Sequence, residues 1–469
     1  MTRVLRFLVV LVVFTACIRP LAAGVGVDRP KKGGSFAVAF GGSSAIAVER
    51  EVERIAAASV GEKTLWPGFD PLKFPLAVFD GERTFLFRHP TPPEGFTRVP
   101  GAAPGTYSSP GRNEAVTANT NSEIGGVGTA TLLLEGPQPV AAATRLAAVA
   151  IHEAFHVFQR AHHPGWSANE ADLFIYPVER VDLFVFRRLE TEALRRALVA
   201  KDDTGAACWA RRALAVRGKR YLRMDAAFRA WERGTELNEG LATYVEARAA
   251  GRYGVEFPSG GFAPAEVRRR AYSTGLALAF LLDRFAPGWQ VSFEADDKRT
   301  LDGALQLAFG PGEGCEFGED EVTEAADQAR MDIAALEVER TRRLAAFEGK
   351  PGWRVVVEVD GDRLLWPQGL DPMNVERVSA RQVLHTRFLR LGSVTGRVEV
   401  MDTEALTEGT GSHPLFEGVR RVVVTGLAEP KVTDDEDGIV RIRAPGLTVG
   451  FKGAKVTRSG ETIVVHVGS

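Results

Sequence analysis

Cysteine is scarce in this chain, with three residues among 469, and neither sign of charge is in clear excess. So few cysteines exclude a small scaffold that is held together by disulfides. The formal net charge of −2 argues against a protein that binds nucleic acid along its whole surface. Because 45% of the residues are hydrophobic and 25% are charged, wholesale disorder is also excluded. The length exceeds what one hydrophobic core usually serves, so two or three domains are expected.

The N-terminus has the pattern of an export signal, predicted over residues 1–23. Arg3 and Arg6 precede a short apolar run over 7–14, and small residues follow it. The run is too short to cross a bilayer comfortably, which favours a signal peptide over a membrane-spanning helix. Cys17 follows Phe-Thr-Ala, which is similar to a bacterial lipobox, so a lipid anchor at this cysteine is an alternative. The sequence therefore predicts an exported protein that is periplasmic, extracellular or attached to the cell surface.

Two cysteines remain after the predicted signal, Cys208 and Cys315. An even pair in an exported chain is compatible with a disulfide. Two buried free thiols are an equally good interpretation, because the sequence does not show whether the two Cα atoms approach each other.

Local sequence patterns divide the chain after the signal into three parts, which together predict an α+β fold. Residues 24–140 are predicted to be β-rich, residues 141–348 helical, and residues 349–469 an all-β sandwich or barrel. The strands of the first part are predicted at 36–40, 74–79, 84–87 and 125–134, with a hairpin turn at Asp80-Gly81 and a loop over 89–111.

Helical spacing of apolar residues predicts the helices of the middle part at 141–163, 178–201, 204–232, 236–250, 264–285 and 319–347. Alternating and β-branched runs predict strands in the last part at 353–359, 397–400, 420–424, 439–442 and 462–467. Acidic residues cluster at 434–438. A bare hairpin turn is favoured there over a calcium site, because the ligand spacing of an EF-hand is missing.

The pattern that carries chemistry is His-Glu-x-x-His at 152–156, inside the predicted helix over 141–163. Residues four apart lie on one face of a helix, so His152 and His156 can reach one ion, and imidazole suits Zn²⁺. Glu153 lies about 100° round the helix from His152, where it can act as a general base toward water. The alternative interpretation is two histidines and a solvated glutamate on a helix surface.

A third metal ligand is predicted in the helical segment over 236–250. Glu239 would complete a His, His, Glu set and leave one coordination position for water. Glu236 and Glu246 lie one turn before and two turns after Glu239 on the same face, so one of them is a candidate to orient an imidazole ligand. Solvation of the helix is the competing interpretation for both.

These two segments together resemble the gluzincin metallopeptidases. The second reads Asn-Glu-Gly-Leu-Ala-Thr-Tyr-Val-Glu over 238–246 and is most similar to the zinc aminopeptidase branch of that group. The resemblance implies a zincin-like catalytic domain, in which His152, His156 and Glu239 bind Zn²⁺ and Glu153 is the general base.

A further segment, Tyr-x-x-Gly from Tyr272 to Gly275, resembles the element whose tyrosine stabilises the oxyanion in the aminopeptidase branch. The resemblance implies that role for Tyr272, and a tyrosine at a helix start is the alternative. His162 and His163 are a rival source of oxyanion stabilisation, or they cap the helix end. The chain lacks the Gly-x-Met-Glu-Asn strand of the aminopeptidases and inserts a helical stretch over 166–231 between the two zinc motifs.

We expect the substrate backbone to pair with the strand at 130–134, because a sheet edge beside the zinc helix binds extended substrate in this group. The sequence thus predicts an exported zinc metallopeptidase that acts on a peptide or protein. Two other functions stay open. One is a cell-surface binding or assembly protein whose zinc site is structural or vestigial, although such a site does not need Glu153. The other is a zinc hydrolase that acts on a non-peptide bond.

Overall fold

The structure is a computed structural model that describes residues 44–134, 138–310, 312–359, 361, 363–371, 374–435 and 437–468. The predicted signal peptide, Cys17 and the strand predicted at 36–40 lie outside the described residues. The chain combines helices and sheets, which confirms the α+β class, and its C-terminal part is β-rich. None of the described helices has both the length and the apolar character needed to cross a membrane.

The first described element is a helix, α1 (Ser44–Ala58), in a part of the chain where the sequence pattern predicts strands. That prediction is wrong here. Ala45, Val48, Val52 and Ile55 follow a helical spacing and bury one face of α1. They belong to the same hydrophobic core as the helices that follow, so the first two predicted parts of the chain share one core.

Six strands follow α1 and form one sheet: β1 (Leu76–Phe79), β2 (Arg83–Phe87), β3 (Thr97–Arg98), β4 (Thr106–Pro110), β5 (Thr120–Ile124) and β6 (Val127–Leu133). Their order across the sheet is β3-β4-β2-β1-β6-β5. β1 and β2 pair antiparallel, which confirms the predicted hairpin. β3 and β4 lie in the predicted loop over 89–111. The inward positions of β4 are Thr106 and Ser108, so the strand has no apolar alternation to reveal it.

The expectation that the strand at 130–134 is a sheet edge open to substrate is wrong. β6 pairs in parallel with β1 on one side and antiparallel with β5 on the other. Its backbone N–H and C=O groups are therefore used within the sheet. β5 is the terminal strand on this side of the sheet.

The helices that follow are α2 (Ala143–His162), α3 (Ala171–Phe174), α4 (Val181–Val199), α5 (Asp203–Tyr221), α6 (Ala226–Thr235), α7 (Leu241–Ala249), α8 (Val267–Phe285), α9 (Gln290–Glu294), α10 (Leu301–Phe309) and α11 (Glu319–Glu348). A π-helical turn, Glu236–Gly240, joins α6 directly to α7. The single helix predicted at 204–232 is split into α5 and α6, because Asp225 adopts an extended conformation before α6 begins.

Cys208 and Cys315 form a disulfide, and their Cα atoms lie 5.0 Å apart. This decides between the two interpretations of the pair. The bond joins α5 to the segment before α11, which is 107 positions away in the sequence. The N–H of Cys315 also donates to the carbonyl oxygen of Cys208 at 3.1 Å.

The C-terminal strands are β7 (Trp353–Val359), β8 (Trp366–Leu370), β9 (Val375–Arg377), β10 (Gln382–His385), β11 (Phe388–Ser393), β12 (Gly396–Met401), β13 (Ala405–Gly409), β14 (Val419–Leu427), β15 (Lys431–Asp434), β16 (Ile439–Ala444), β17 (Leu447–Lys452), β18 (Lys455–Ser459) and β19 (Thr462–Val467). They form two sheets, with the orders β18-β19-β7-β14-β13-β10-β9 and β15-β16-β17-β12-β11-β8. Apolar residues of both sheets share one buried cluster, so the sheets pack face to face.

Each strand predicted in this part is present. β15 and β16 pair antiparallel, and the N–H of Gly438 donates to the carbonyl oxygen of Asp435 at 2.9 Å between them, which confirms the hairpin turn at 434–438. β17 was missed although its buried positions alternate, whereas other unpredicted strands give a weak signal in the sequence. All four residues of β15, for example, are exposed, so that strand has no buried face.

Candidate metal centre

The two motif histidines lie on α2, which packs against α1, α7 and β6. Its residues from 146 to 156 are all buried. His152 and His156 are one turn apart, are each 5% exposed, and have their Nε2 atoms 3.1 Å from each other. The interpretation that they decorate a helix surface is therefore wrong.

Glu239 reaches the histidines from the π-helical turn between α6 and α7. Its Oε2 atom lies 3.2 Å from Nε2 of His156 and 3.8 Å from Nε2 of His152. The residue is 2% exposed, and Oε2 has no hydrogen-bond partner. Turns of the π type inside α-helices occur frequently at functional sites.

The π-helical turn packs closely against α8. Gly240, at the end of the turn, faces Gly275 of α8 so closely that a Cβ atom added at Gly275 would lie 2.7 Å from Cα of Gly240 and 2.8 Å from the carbonyl oxygen of Glu236. Only hydrogen fits at that distance. The two glycines thus let α8 hold the turn, and Glu239 with it, against α2.

The three side chains fit a metal ion. Two donor atoms on one tetrahedral Zn²⁺ ion, each at about 2.1 Å, stand about 3.4 Å apart. The separations of 3.1, 3.2 and 3.8 Å among the two Nε2 atoms and Oε2 lie around this value. Potential ligand atoms of all three residues lie within 4.8 Å of one another. The buried Oε2 of Glu239, which has no hydrogen-bond partner, is suited to coordinate a cation.

Glu246 and Gln159 contact the Nδ1 atoms of the two imidazole rings, on the side away from the proposed metal ion. Oε2 of Glu246 lies 3.1 Å from Nδ1 of His152, as the helical spacing predicts for one of the two flanking glutamates. Oε1 of Gln159 lies 2.8 Å from Nδ1 of His156, and its Nε2 atom donates to the carbonyl oxygens of Leu237 and Asn238. Such contacts present both Nε2 atoms to the same point.

The prediction that Glu236 shares the face of Glu239 is wrong. Its carboxylate binds Arg217 at 2.6 Å and accepts a hydrogen bond from the hydroxyl of Thr274 at 2.7 Å. The reason is the π-helical turn, in which more residues make one turn, so that a residue three positions earlier points elsewhere. Glu246 follows within regular α7, where two turns restore the face.

Glu153 is the most isolated charge-bearing group of the centre. It is 0% exposed, and neither of its carboxylate oxygens has a hydrogen-bond partner. Burial raises the pKa of Glu153 to about 7, although the imidazoles of His152 and His156 act in the opposite direction. A buried carboxylate without a partner costs free energy, and such groups concentrate at functional sites.

The charges of the ligand residues depend on one another. Burial alone would raise the pKa of Glu239, but the imidazoles of His156 and His152 lower it well below its usual range. Burial alone would lower the pKa of His152, but Glu239 and Glu246 outweigh it and raise the pKa. Glu239 is therefore held as an anion, which is the form that binds a cation, whereas binding of a cation would release the proton of His152.

Tyr272 lies close to Glu239, on the first turns of α8. Burial and the negative charge of Glu239 raise the pKa of Tyr272 well above its usual value, and the neighbouring Arg268 opposes this shift. Arg268, one turn earlier on α8, forms an ion pair with Glu170, and its Nη1 atom lies 4.0 Å from Oε1 of Glu239. Asn238 adds a third donor on the side of Glu239, because its Nδ2 atom donates to Oε1 of Glu239 at 3.4 Å.

His162 and His163, the rival donors, are engaged elsewhere. Nδ1 of His162 lies 3.0 Å from the carbonyl oxygen of Phe158. The ring of His163 stacks on Trp166, with a centroid distance of 3.8 Å, and its nitrogens contact Asp297 at 2.5 Å and Glu294 at 3.0 Å. His163 therefore anchors the loop after α2.

Sequence reasoning missed Gln159 and Arg268. The signal was available in both cases, because Gln159 lies one turn after His156 and Arg268 lies one turn before Tyr272 on the same helix.

Comparison of the chain with protein-family models, with curated proteins and with solved structures gives no match.

Proposed function

We propose that this chain is an exported zinc metallopeptidase with a zincin-like catalytic part. The observation that carries the proposal is the placement of Glu153, a fully buried carboxylate without a partner, next to two histidines and a glutamate that fit one cation. A site that only stabilises the fold gains nothing from this residue. The disulfide between Cys208 and Cys315 supports export, because such bonds persist in oxidising compartments.

In the proposed mechanism His152, His156 and Glu239 hold the ion. When bound, Zn²⁺ lowers the pKa of water and polarises a carbonyl group. Glu153 accepts a proton from the attacking water while the water oxygen bonds to the peptide carbonyl carbon. Glu153 then gives that proton to the amine nitrogen as the C–N bond breaks.

Negative charge develops on the carbonyl oxygen of the substrate during the attack. Tyr272 and Arg268 both lie close to Glu239, and we assign them to this oxygen. Arg268 is ion-paired with Glu170, which limits its movement. Preorganised donors of this kind stabilise the transition state more than the ground state.

The edge strand β5 is the place where an extended substrate could add to the sheet. It lies beside α2, and Arg160 of α2 donates a hydrogen bond to Asn121 of β5. This replaces β6, which is paired on both sides.

Substitution of Glu153 by glutamine tests the proposal. Glu153→Gln keeps the shape of the side chain but removes its basicity, so zinc content should be unchanged while cleavage of a mixed peptide library falls at least 100-fold. Zinc content is measured by mass spectrometry of the metal and cleavage by peptide mass spectrometry. Glu337→Gln on the exposed side of α11 is the matched control and should leave both unchanged.

Unchanged cleavage by Glu153→Gln would contradict the proposal. If zinc is bound and neither the wild type nor the variant cleaves any peptide, the second function is favoured, a cell-surface binding or assembly protein that uses its C-terminal sheets. If the wild type instead cleaves ester or amide model compounds and no peptide, the protein is a zinc hydrolase of a non-peptide bond.

A further inference from the structure

Phe174, at the end of α3, packs into the two C-terminal sheets formed by β7 to β19, which we call the sandwich. It is 8% exposed and belongs to the buried apolar cluster that both sheets share. The other buried members of that cluster all lie between Val355 and Val467. The Phe174 ring lies 6.0 Å from the ring of His413 and 6.2 Å from the ring of Phe416, measured between centroids. The helical part of the chain thus inserts this side chain into the core of the sandwich.

Two hydrogen bonds also join the backbone of α3 to the sandwich. Nδ1 of His413 accepts from the N–H of Leu415 at 3.1 Å, so the ring proton lies on Nε2, which donates to the carbonyl oxygen of Ala171 at 2.9 Å. Burial lowers the pKa of His413, which keeps the ring neutral at pH 7. Arg377 of β9 donates to the carbonyl oxygen of Phe174 at 3.3 Å.

These contacts determine where the short helix α3 lies. A helix of four residues is not stable alone, so its position depends on what packs against it. One neighbour is the sandwich, and another is α6. Glu170 is the N-cap residue of α3, and its carbonyl oxygen accepts a hydrogen bond from the N–H of Leu173 at 3.3 Å. Contacts that fix the backbone of α3 therefore also fix the position of Glu170.

Glu170 connects this segment to the metal centre. Its carboxylate forms an ion pair with Arg268 of α8, and the two residues are 8% and 9% exposed. Arg268 also lies near Glu239, with 4.0 Å between Nη1 and Oε1. Because Glu170 binds the guanidinium, Arg268 does not pair fully with the carboxylate that is proposed to hold the metal ion. Without Glu170 an uncompensated positive charge would stand beside Glu239 and compete with a cation.

We propose that the sandwich is part of the catalytic unit and that His413 and Phe174 are positioning residues for Arg268. They hold the backbone of α3, α3 places Glu170, and Glu170 keeps Arg268 directed to the substrate oxygen and away from Glu239. The inference rests on the proposed peptidase activity for the role of Arg268, but not for the contacts that place it.

Hydrogen exchange of the full chain tests the first half of the proposal without any substrate. His413→Leu removes the bond to Ala171, so the amides of residues 169–174 should exchange at least tenfold faster than in the wild type. His413→Gln, whose amide nitrogen can replace the Nε2 donor, should stay within threefold of the wild type. His385→Leu is the matched control, because His385 is buried in the sandwich and contacts Thr407 there. Equal exchange of 169–174 in His413→Leu and the wild type would overturn the proposal.

A double-mutant cycle in peptide cleavage tests the second half. Arg268→Met should lower kcat at least tenfold and change KM less than threefold, because its bond to the substrate oxygen strengthens in the transition state. His413→Leu and Glu170→Gln should each lower kcat at least fivefold when Arg268 is present, but less than twofold in the Arg268→Met background. A role in stability alone lowers kcat by the same factor in both backgrounds, and that result would refute the proposal.

Zinc affinity separates failure of this inference from failure of the proposed function. In Glu170→Gln, Arg268 can pair with Glu239, so competition with a chelator should show zinc bound at least tenfold more weakly. Addition of Arg268→Met should return the affinity to within threefold of the wild type, and an unchanged affinity in Glu170→Gln would contradict its role. If the wild type cleaves no peptide, the proposed function fails, and zinc affinity and hydrogen exchange decide this inference. If His413→Leu does not fold, Phe174→Leu is held to the same criteria.

Discussion

The glycine pair at the helix crossing provides a quantitative test of how the metal centre is built. In Gly275→Ala the new Cβ atom would lie 2.7 Å from Cα of Gly240 and 2.8 Å from the carbonyl oxygen of Glu236. Both are backbone atoms, so the π-helical turn or α8 has to shift. Overpacking of this kind costs about 1–3 kcal/mol of unfolding free energy. Because Glu239 lies in the displaced turn, the zinc affinity should fall about 10–100-fold.

Gly218→Ala is the matched control. Gly218 lies in α5, and a Cβ atom added there meets nothing within 4 Å. Both substitutions gain the same helix propensity, about 1 kcal/mol, so the difference between the two variants isolates the cost of the contact. Urea unfolding gives the stabilities, and competition with a chelator gives the zinc affinities. If Gly275→Ala is as stable as Gly218→Ala and binds zinc as tightly as the wild type, the reasoning is refuted.

Three further outcomes are expected. Gln159→Leu removes the partner of His156 Nδ1 and should weaken zinc binding about 10–100-fold in chelator competition, and unchanged affinity would contradict the orienting role. Replacement of Cys208 and Cys315 by serine should lower the free energy of unfolding in urea by about 4–5 kcal/mol, because the bond closes a loop of 107 positions, and a loss below about 1 kcal/mol would count against it. Burial lowers the pKa of His385 to about 3, so the unfolded chain takes up this proton at higher pH and stability falls as the pH drops below about 6.5. His385→Leu should therefore lose about 2.5 kcal/mol less than the wild type between pH 7 and pH 4.5 in urea titrations, and identical losses would rule out this origin.

The site was more predictable than the fold around it. Ligand spacing on a helix is set by local geometry, so two histidines four apart and a glutamate in a second helix were enough to select residues that come together. The π-helical turn was not predictable, because its extra residue comes from the packing of Gly240 against Gly275, which are distant in sequence. For this reason Glu236 does not orient an imidazole ring, and Glu246 of α7 contacts His152 instead.

Alternation of buried positions explains several of the predicted strands, although β17 alternates as well and was missed. β7 and β19 have buried valines and isoleucine at every second position or more densely, and their predicted limits agree with the structure. β4 buries threonine and serine, and β15 buries nothing, so neither has an apolar pattern. Edge position, which excluded β6 as a substrate strand, depends on strand order and is not encoded locally.

The ion pair of Glu236 and Arg217 belongs to a buried network that limits how this sequence can diverge. Its other members are Glu190, which pairs with Arg217, Arg220 and Arg270, and Glu232, which pairs with Arg220. Loss of any one partner leaves an uncompensated charge in the interior, at a cost of about 3–5 kcal/mol. Exchange of the whole set for apolar side chains of similar volume carries no such cost. In distant relatives, Glu190, Glu232, Glu236, Arg217, Arg220 and Arg270 should therefore be either retained together or replaced together, and intermediate combinations should be rare.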